Sequence, residues 1–334
     1  MTRSGIMLVS ACLLAAAGAA NAGTPEPPLR GDSSVTVQPP VSDGYHKASL
    51  QGGKVLYVFG GARFAAFKPY VKELLSPKGV NPLRDNVPDH IHHHGLMFAV
   101  AVDGVDFWAE TKNCGRQIQG DIRTDIDTAG SLVALSDTTG LDWTGRDSQV
   151  LIATEKRTIV LYSSTTPVEA TLISWRTQLA PPAGAESIKL TGSHYFGLGM
   201  RFVKSMDNAS TFTFADPNAA GPTVRGDEKL TPSAWAACTG AVDGNTVTVA
   251  MFDHPDNPRP VLWFTMGKPF SYLSATINLA KEPMIVKAGQ ELDVCYGLAV
   301  WDGKATREQI DMAYRNWQKL APSLKPQKKG SAKR

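Results

Sequence analysis

The chain has 334 residues, of which 34 are Lys or Arg and 31 are Asp or Glu, for a formal net charge of +3. The last ten residues, "KPQKKGSAKR" from Lys325, hold five basic residues and no acidic one, so the rest of the chain is slightly acidic. A basic tail without a basic face argues against nucleic acid as a partner. The length allows one large domain or two smaller ones.

The N-terminus has the pattern of a secretory signal peptide. Arg3 precedes the apolar run "IMLVSACLLAAAGAA", and small residues follow at Ala20 and Ala22. We therefore predict a signal peptide over residues 1–22, cleaved after Ala22, and a periplasmic or secreted protein. The mature chain has no other run of the roughly 18 apolar residues that a membrane span needs, so we expect none.

Two flanking segments are predicted to lack regular structure. Residues 23–46 are rich in Pro, Gly and Ser, which predicts a flexible linker. Residues 321–334 form the basic tail, which we expect to be disordered. Cleavage would leave Cys114, Cys238 and Cys295. One disulfide with one free thiol is possible in an oxidising compartment, and the sequence does not select the pair.

Residues 47–320 have the pattern of a β-rich domain. Short β-branched and aromatic runs alternate with Gly, Pro, Asn and Asp, as in "KVLYVFGG", "QVLIATEKRTIVLYSS" and "ELDVCYGLAVWDG". One helix is predicted near the C-terminus, where Thr306 and Gln309 form a capping box ahead of apolar residues at helical spacing. We predict an all-β fold, a mostly antiparallel β-sandwich with a C-terminal α-helix.

The segment "DHIHHHGLMFAVAVDGVDFWAE", residues 89–110, contains four of the seven histidines. Asp103-Gly104 predicts a two-residue hairpin turn in which Val102 faces Val105. Continued alternation would place Asp106, Trp108 and Glu110 on one face, and backward extension would add His93. We expect two carboxylates beside an indole that stacks on a sugar.

Three interpretations of the histidines stay open. His90 and His92 have a spacing that could place two imidazoles on one divalent metal, with a third ligand from elsewhere. Alternatively, histidines and carboxylates act without a metal as acid/base or substrate-binding groups. In the third, the loop is structural and its imidazoles only pack together. The predicted catalytic residues are His90, His92, His93, Asp106, Glu110 and His254.

Two further segments carry polar residues at strand ends. "GSHYFGLGMRF" contains glycines that allow close approach of a ligand or of backbone. "MFDHPDNPRPVLWF" breaks a strand with a rigid, proline-rich loop, a good place for ligand-binding groups. A turn-stabilising role is the alternative in each segment. The predicted substrate-binding residues are Trp108, His194, Tyr195, Arg201, Asp253 and Arg259.

The ordered set "DHIHHHG", "GVDFW", "HYFGLGMR", "FDHPDNPR" and "AGQELDVCYGLAVWDG" resembles the bacterial PmoA-like ("methane oxygenase PmoA") domain family of unknown function. The resemblance runs from about Val55 to Trp317. Ile91 and His94 depart from the family pattern, which has Pro and Arg there. The resemblance implies a secreted β-sandwich found among carbohydrate-utilisation proteins. It does not imply methane chemistry, because the methane enzyme's subunit is an integral membrane protein.

These observations lead to an expected function. We predict a carbohydrate-active enzyme, a glycoside or keto-glycoside hydrolase or lyase with a His/carboxylate site, acting on a small-molecule or oligosaccharide substrate. The first alternative is a non-catalytic carbohydrate-binding β-sandwich. The second is a metal-dependent oxygenase, indicated only by the histidine count.

Overall fold

The computed structural model describes residues 35–38, 45–50, 54–60, 67–129, 132–145, 150–163, 169–321 and 324. The predicted signal peptide and almost all of the predicted tail lie outside these ranges. The strands, numbered along the chain, form three antiparallel sheets.

The first sheet has ten strands within the described ranges. In spatial order they are β1 (Val35–Gln38), β2 (Tyr45–Leu50), β3 (Lys54–Gly60), β4 (Tyr70–Leu74), β5 (Leu96–Ala99), β13 (Gly197–Arg201), β20 (Tyr272–Thr276), β19 (Leu262–Met266), β16 (Glu228–Pro232) and β15 (Thr223–Arg225).

The second sheet has eight strands in the described part of the chain, and a smaller sheet has four. The second sheet contains β14 (Thr211–Phe214), β17 (Trp235–Val242), β18 (Asn245–Asp253), β22 (Leu292–Asp302), β11 (Ala170–Ala180), β10 (Leu151–Tyr162), β9 (Leu132–Thr144) and β8 (Arg116–Ala129). The smaller sheet contains β21 (Met284–Lys287), β12 (Ser187–Thr191), β6 (Ala101–Val102) and β7 (Val105–Asp106).

The core lies between the two large sheets. Strand β9 shows why: burial alternates along it, so that Leu135, Leu141 and Trp143 point inward. The rings of Phe98 on β5 and Trp143 on β9 lie 6.3 Å apart, which joins the two sheets. The fold is therefore a sandwich whose inner faces share one apolar core.

A second apolar cluster holds the C-terminal helix, α1 (Arg307–Leu320), against the second sheet. Thr306 caps the helix and forms the predicted capping box with Gln309. Trp317 is fully buried over Gly297, where a Cβ would come within 2.6 Å of its ring. The predicted mostly antiparallel β-sandwich with a C-terminal α-helix is confirmed.

The histidine-rich hairpin is shorter than its pattern predicts. Val102 pairs with Val105 as expected, and Asp103 and Gly104 have φ of 48° and 82°, as a type I′ turn requires. The ladder ends at Asp106, because its Oδ1 accepts hydrogen bonds from the backbone N–H of Trp108 at 2.6 Å and of Ala109 at 3.2 Å. The alternation predicted beyond Asp106 is therefore wrong, and β5 pairs with β13 instead.

Three further features differ from or complete the expectations. Strand β1 lies inside the predicted linker 23–46, where "VTV" supplies a short β-branched alternation. Cys114, Cys238 and Cys295 are buried free thiols. In the described part of the chain, none of the helices has both the length and the apolar character that crossing a membrane requires.

Candidate functional site

The connection between β4 and β5 folds three of the histidines together. Two consecutive turns form it, with His90 N–H donating to Val87 O at 2.9 Å and His93 N–H donating to His90 O at 2.8 Å. The rings of His90 and His93 stack at 4.7 Å, and the His92 ring meets His93 edge-on at 4.5 Å. The loop ends at Gly95. A side chain does not fit there, because a Cβ atom would lie 2.2 Å from a backbone oxygen of β4.

This histidine cluster forms one wall of a cavity of about 210 Å³. The other walls come from the end of the hairpin, from the segment that precedes β13, from the strands β15, β16 and β19, and from the start of β20. Most wall residues are aromatic or imidazole rings, with one ion pair among them. The lining residues are His90, His92, His93, Trp108, Tyr195, Arg225, Glu228, Phe264, Met266, Phe270 and Tyr272.

His90 Nδ1, a buried atom on these walls, lies 3.0 Å from Asp89 Oδ2. Three further buried polar atoms there have no partner among the described residues: His93 Nδ1, Trp108 Nε1 and the Tyr272 hydroxyl. Their residues are 6 %, 1 % and 2 % exposed. At Gly199 a Cβ would meet the Tyr272 hydroxyl at 2.4 Å and the Trp108 ring at 3.0 Å, so the glycine allows both groups to sit there. Leaving a buried polar group unpaired costs about 1–3 kcal/mol, which a bound ligand can remove.

Glu228 carries the negative charge of the cavity. It is 6 % exposed, and among the described residues it is the one Asp or Glu that lines this cavity. His194 Nε2 donates to its Oε2 at 2.9 Å, and Arg225 Nη2 donates to its Oε1 at 2.6 Å. The Arg225 cation and the His194 imidazole thus hold the carboxylate at the wall. His194 was predicted to bind substrate, but here it positions Glu228.

Burial keeps two cavity histidines neutral. Desolvation, reinforced by nearby positive charges, lowers the pKa of His93 to about 2 and that of His92 to about 4. A base this weak is poorly matched to proton abstraction near neutral pH. A neutral imidazole still offers one donor and one acceptor nitrogen, so His92 and His93 suit hydrogen bonding to a ligand.

A buried charge network lies behind the cavity and fixes its walls. Lys68 Nζ donates to the Trp108 carbonyl at 2.8 Å and to Glu110 Oε1 at 2.9 Å. His94 donates through Nδ1 to Asp85 and through Nε2 to Glu110, both at 2.8 Å, and its ring stacks on Tyr70 at 4.4 Å. This network therefore ties the hairpin end to the histidine loop.

The network also decides the protonation states of its members. Burial alone would raise the pKa of Glu110, but the His94 hydrogen bond and the Lys68 charge outweigh it and hold the pKa at about 2. Burial opposes the charge on His94, yet its bonds to Asp85 and Glu110 raise its pKa. Glu110 is therefore a fixed carboxylate that supports the wall and, contrary to the expected face shared with Trp108, does not line the cavity.

Trp108 lies at the cavity, but not as an open stacking surface. One face of its indole stacks on Phe196 with centroids 5.0 Å apart, and Tyr195 meets it edge-on. Asp106, predicted beside it as an acid/base group, instead caps the turn. Arg201 also stays outside the lining: its guanidinium stacks at 3.5 Å on the ring of Phe270, which does line the cavity.

The polar residues predicted in "MFDHPDNPRPVLWF" lie in a loop outside the cavity lining. Asp253 accepts hydrogen bonds from the Asn257 amide at 2.7 Å and from Val261 N–H at 3.0 Å, and burial raises its pKa to about 6. The ring of His254 meets Trp317 of α1 edge-on. Arg259 donates to backbone carbonyls, including that of Ile277 at 3.2 Å. These three residues stabilise a loop, and none lines the cavity.

The predicted metal site does not gain its third ligand. Among the residues that the structure describes, no group of three His, Cys, Asp or Glu is arranged to hold a metal ion. The imidazoles of His90 and His92 lie 5.7 Å apart, centroid to centroid, and pack against His93. The ring packing accounts for this spacing without a metal.

Residues 49–315 match the family of unknown function DUF6807. The chain belongs to the DUF6807 family. This match corrects the resemblance drawn from the motifs, since the family found is DUF6807 and no PmoA-like family is matched. A search of curated proteins gives no significant match for this DUF6807 chain.

Solved structures similar to this DUF6807 chain include glycoside hydrolases and a galactose mutarotase-like protein. An alpha-galactosidase from Lactobacillus brevis has a TM-score of 0.43 and 9% identity over 86% of this chain. A GH36 alpha-galactosidase from Geobacillus stearothermophilus, in complex with raffinose, has a TM-score of 0.40 and 10% identity over 86%. The chain spans 40% and 42% of these two proteins.

The galactose mutarotase-like protein is from Clostridium acetobutylicum. Its TM-score is 0.38 at 10% identity, with 80% of this chain and 95% of that protein covered.

Several cavity residues of the DUF6807 chain were not predicted from sequence. Glu228 follows a turn in "VRGDEKLT", where its charge is typical of a solvent-exposed hairpin. Phe264 and Tyr272 belong to apolar runs that are typical of core strands. No local signal distinguishes these residues, because only the pairing of β13, β20, β19 and β16 brings them beside the histidine loop.

Proposed function

We propose that the cavity binds one carbohydrate ring and that the protein is a carbohydrate-active enzyme, a lyase or hydrolase acting on glycosides or keto-glycosides. The observation that carries this proposal is the set of three unpaired buried atoms, His93 Nδ1, Trp108 Nε1 and the Tyr272 hydroxyl, on one cavity. A sugar supplies several oxygens within one ring, which can satisfy all three. The secretory pattern of residues 1–22 supports action outside the cytoplasm.

The size and composition of the cavity support a single small ring. Its volume of about 210 Å³ is below the ~300–1,000 Å³ of sites for drug-sized ligands. Phe264 and Phe270 offer apolar surface to the C–H faces of a sugar, and the polar atoms lie beside them. A mixture of apolar rings and few polar groups is typical of specific small-molecule sites.

The charge arrangement favours elimination over the two-carboxylate route. Glycoside hydrolysis through paired carboxyl groups needs a second carboxylate at about 5–9.5 Å. The described residues provide Glu228 alone at this cavity, and Asp106 and Glu110 serve structural roles. Glu228 is the proton acceptor, and His194 and Arg225 hold it in place.

On a keto-glycoside, Glu228 takes a proton from the carbon between the carbonyl and the anomeric carbon. The electron pair moves onto the carbonyl oxygen, where the Trp108 N–H and the Tyr272 hydroxyl stabilise the enolate. The carbonyl then re-forms, a double bond forms to the anomeric carbon, and the bond to the aglycone oxygen breaks. Glu228 returns the proton to that oxygen. Addition of water to the unsaturated sugar would complete a hydrolysis.

A product screen tests this proposal. The full chain is incubated with glycosides and 3-keto-glycosides in labelled water, with and without a chelator, and the products are identified by mass spectrometry. We expect aglycone release that survives the chelator, with either an unsaturated sugar or a sugar carrying one labelled oxygen. Glu228→Gln should abolish release. Loss of turnover with the chelator, or full turnover by Glu228→Gln, would contradict the proposed mechanism.

The non-catalytic alternative predicts a different outcome of the same screen. A binding module would bind sugars at this cavity and release no product from any of them. The concave cavity with a buried carboxylate on its wall favours the enzyme, because an open binding strip needs no buried carboxylate. Calorimetric binding without turnover across the screen would favour the binding module.

A further inference from the structure

A second cavity adjoins the first and widens towards the surface. It has a volume of about 300 Å³ and shares five wall residues with the inner cavity. The shared residues are His90, Arg225, Glu228, Met266 and Phe270. Because Glu228 belongs to both linings, a ligand that fills the inner cavity and extends outward passes the carboxylate.

Two short connections build the rim of this outer cavity. Gly226 and Asp227 form the turn between β15 and β16, where Gly226 has a φ of 54°. The other connection follows β19, and Asp227 Oδ2 accepts hydrogen bonds from the backbone N–H of Gly267 at 2.8 Å and of Lys268 at 3.0 Å. These bonds join the two connections, so the rim is a defined structure that the hydrogen bonds of Asp227 maintain.

The chemistry of the rim differs from that of the inner cavity. Arg225 and Lys268 contribute positive charge, and Asp227 and Glu228 contribute negative charge. The four residues that line the outer cavity and not the inner one, Gly226, Asp227, Lys268 and Pro269, include no aromatic ring. Balanced charges and exposed donors and acceptors suit a neutral, hydroxyl-rich group better than an apolar or an anionic one.

Resting on the proposed function, we infer that the outer cavity is a second subsite that binds a neutral sugar attached to the anomeric carbon of the inner ring. The substrate class is then a disaccharide or the end of an oligosaccharide, with the bond to be broken beside Glu228. Lys268 contributes to binding of the outer sugar and makes no contribution to the inner one.

Paired probes separate the two subsites. Each pair keeps the inner ring and changes the group at its anomeric carbon: methyl β-glucoside with cellobiose, methyl α-glucoside with maltose, and methyl α-galactoside with melibiose. Calorimetry with the full-length Glu228→Gln protein measures Kd without turnover. We expect the disaccharide of at least one pair to bind about 3- to 10-fold tighter, as one or two added hydrogen bonds provide.

Lys268→Ala should remove this gain and leave the methyl glycoside affinity unchanged. Lys229→Ala is the matched control, because Lys229 is an exposed lysine of the same region that lines neither the inner nor the outer cavity. If the two members of every pair that binds have the same Kd, the second subsite is overturned and the proposed function is left intact. A gain that Lys268→Ala does not reduce would also overturn it. Absence of binding in all pairs, and in the same pairs oxidised to the 3-keto sugar at the inner ring, would overturn both proposals.

Discussion

At the scale of single residues, the site depends on polar atoms that the protein leaves without partners. A buried hydroxyl that bonds within the protein adds to stability, whereas one without a partner subtracts from it. Tyr272 and Tyr162 represent these two cases: both are buried, but only Tyr162 has a hydroxyl partner in the described structure, Ser174 at 2.9 Å. This difference can be measured in the free protein before any ligand is known.

We predict that Tyr272→Phe leaves the free energy of unfolding unchanged or raises it by up to about 1–2 kcal/mol, since it removes an unpaired buried hydroxyl. Its affinity for a bound sugar should fall about 3- to 10-fold. Urea unfolding and calorimetry measure the two effects. Tyr162→Phe is the control and should lower stability. Equal destabilisation by both substitutions would show that the Tyr272 hydroxyl has a partner within the protein.

Glu228 allows a second test at this scale. Glu228→Gln keeps the shape of the side chain and its oxygen for His194 but removes the proton acceptor. We predict a loss of turnover of about 10²- to 10⁴-fold, the usual contribution of general acid–base catalysis, with sugar binding retained. Steady-state kinetics and calorimetry check this. Glu291→Gln, an exposed control, should keep full activity. If Glu228→Gln loses binding and turnover to the same degree, Glu228 is a binding group.

At the scale of elements, the histidine loop and the hairpin are held together by charges that sequence patterns did not reveal. The Asp-Gly turn and its first two residue pairs were predictable, because positive φ restricts the residues that can form it. Its early end was not, because the Asp106 side chain competes with the ladder for backbone N–H groups. Lys68 belongs to no motif, yet it is fully buried against the hairpin end.

We predict that Lys68→Met destabilises the protein by about 3–5 kcal/mol, because it leaves the Glu110 carboxylate buried with less positive charge around it. Lys68→Met combined with Glu110→Gln should recover part of this loss, since it removes both charges. Urea unfolding of the two single variants and the double variant gives the coupling energy. Additive losses in the double variant would show that the two side chains do not stabilise each other.

At the scale of the whole molecule, the sandwich and its helix were predictable, whereas the cavity was only partly so. Short β-branched runs and a capping box are local signals, and they indicate elements wherever they occur. The cavity depends on which strands become neighbours, and Glu228 and Tyr272 have no local pattern that distinguishes them from surface and core residues. Asp253 and His254 were wrongly expected beside the histidines, because a polar loop at a strand end has the same pattern whether it binds a ligand or closes a turn.

Burial of His93 and His92 makes the stability of the whole molecule sensitive to acid, and the raised pKa values of His94 and Asp253 act in the opposite direction. The pKa of His93 falls from 6.5 to about 2 on folding, so below pH 6.5 the unfolded chain binds the extra proton and stability decreases as pH falls. His92 acts in the same direction, and Glu110, lowered from 4.5 to about 2, adds to the loss below pH 4.5. Each fully shifted group contributes a slope of about 1.4 kcal/mol per pH unit.

We therefore predict that, from pH 7 to pH 5, the urea midpoint of the unaltered protein falls relative to that of His93→Gln, which has no proton to gain. Urea unfolding at intermediate pH values compares the two slopes. A midpoint that falls more steeply with pH in His93→Gln than in the unaltered protein would contradict burial of a neutral imidazole at His93. If the urea midpoint changes with pH by the same amount in both proteins, His93 does not contribute to the acid sensitivity.

The most direct test of the central claim is the indole N–H resonance of Trp108 in a ¹⁵N spectrum of the full chain. Its identity follows from the one indole signal missing in Trp108→Phe. If the cavity binds a carbohydrate through its unpaired polar atoms, a sugar that binds by calorimetry will shift this resonance more than the other indole signals. A sugar that binds and leaves the Trp108 signal in place would contradict the account, because it would bind elsewhere.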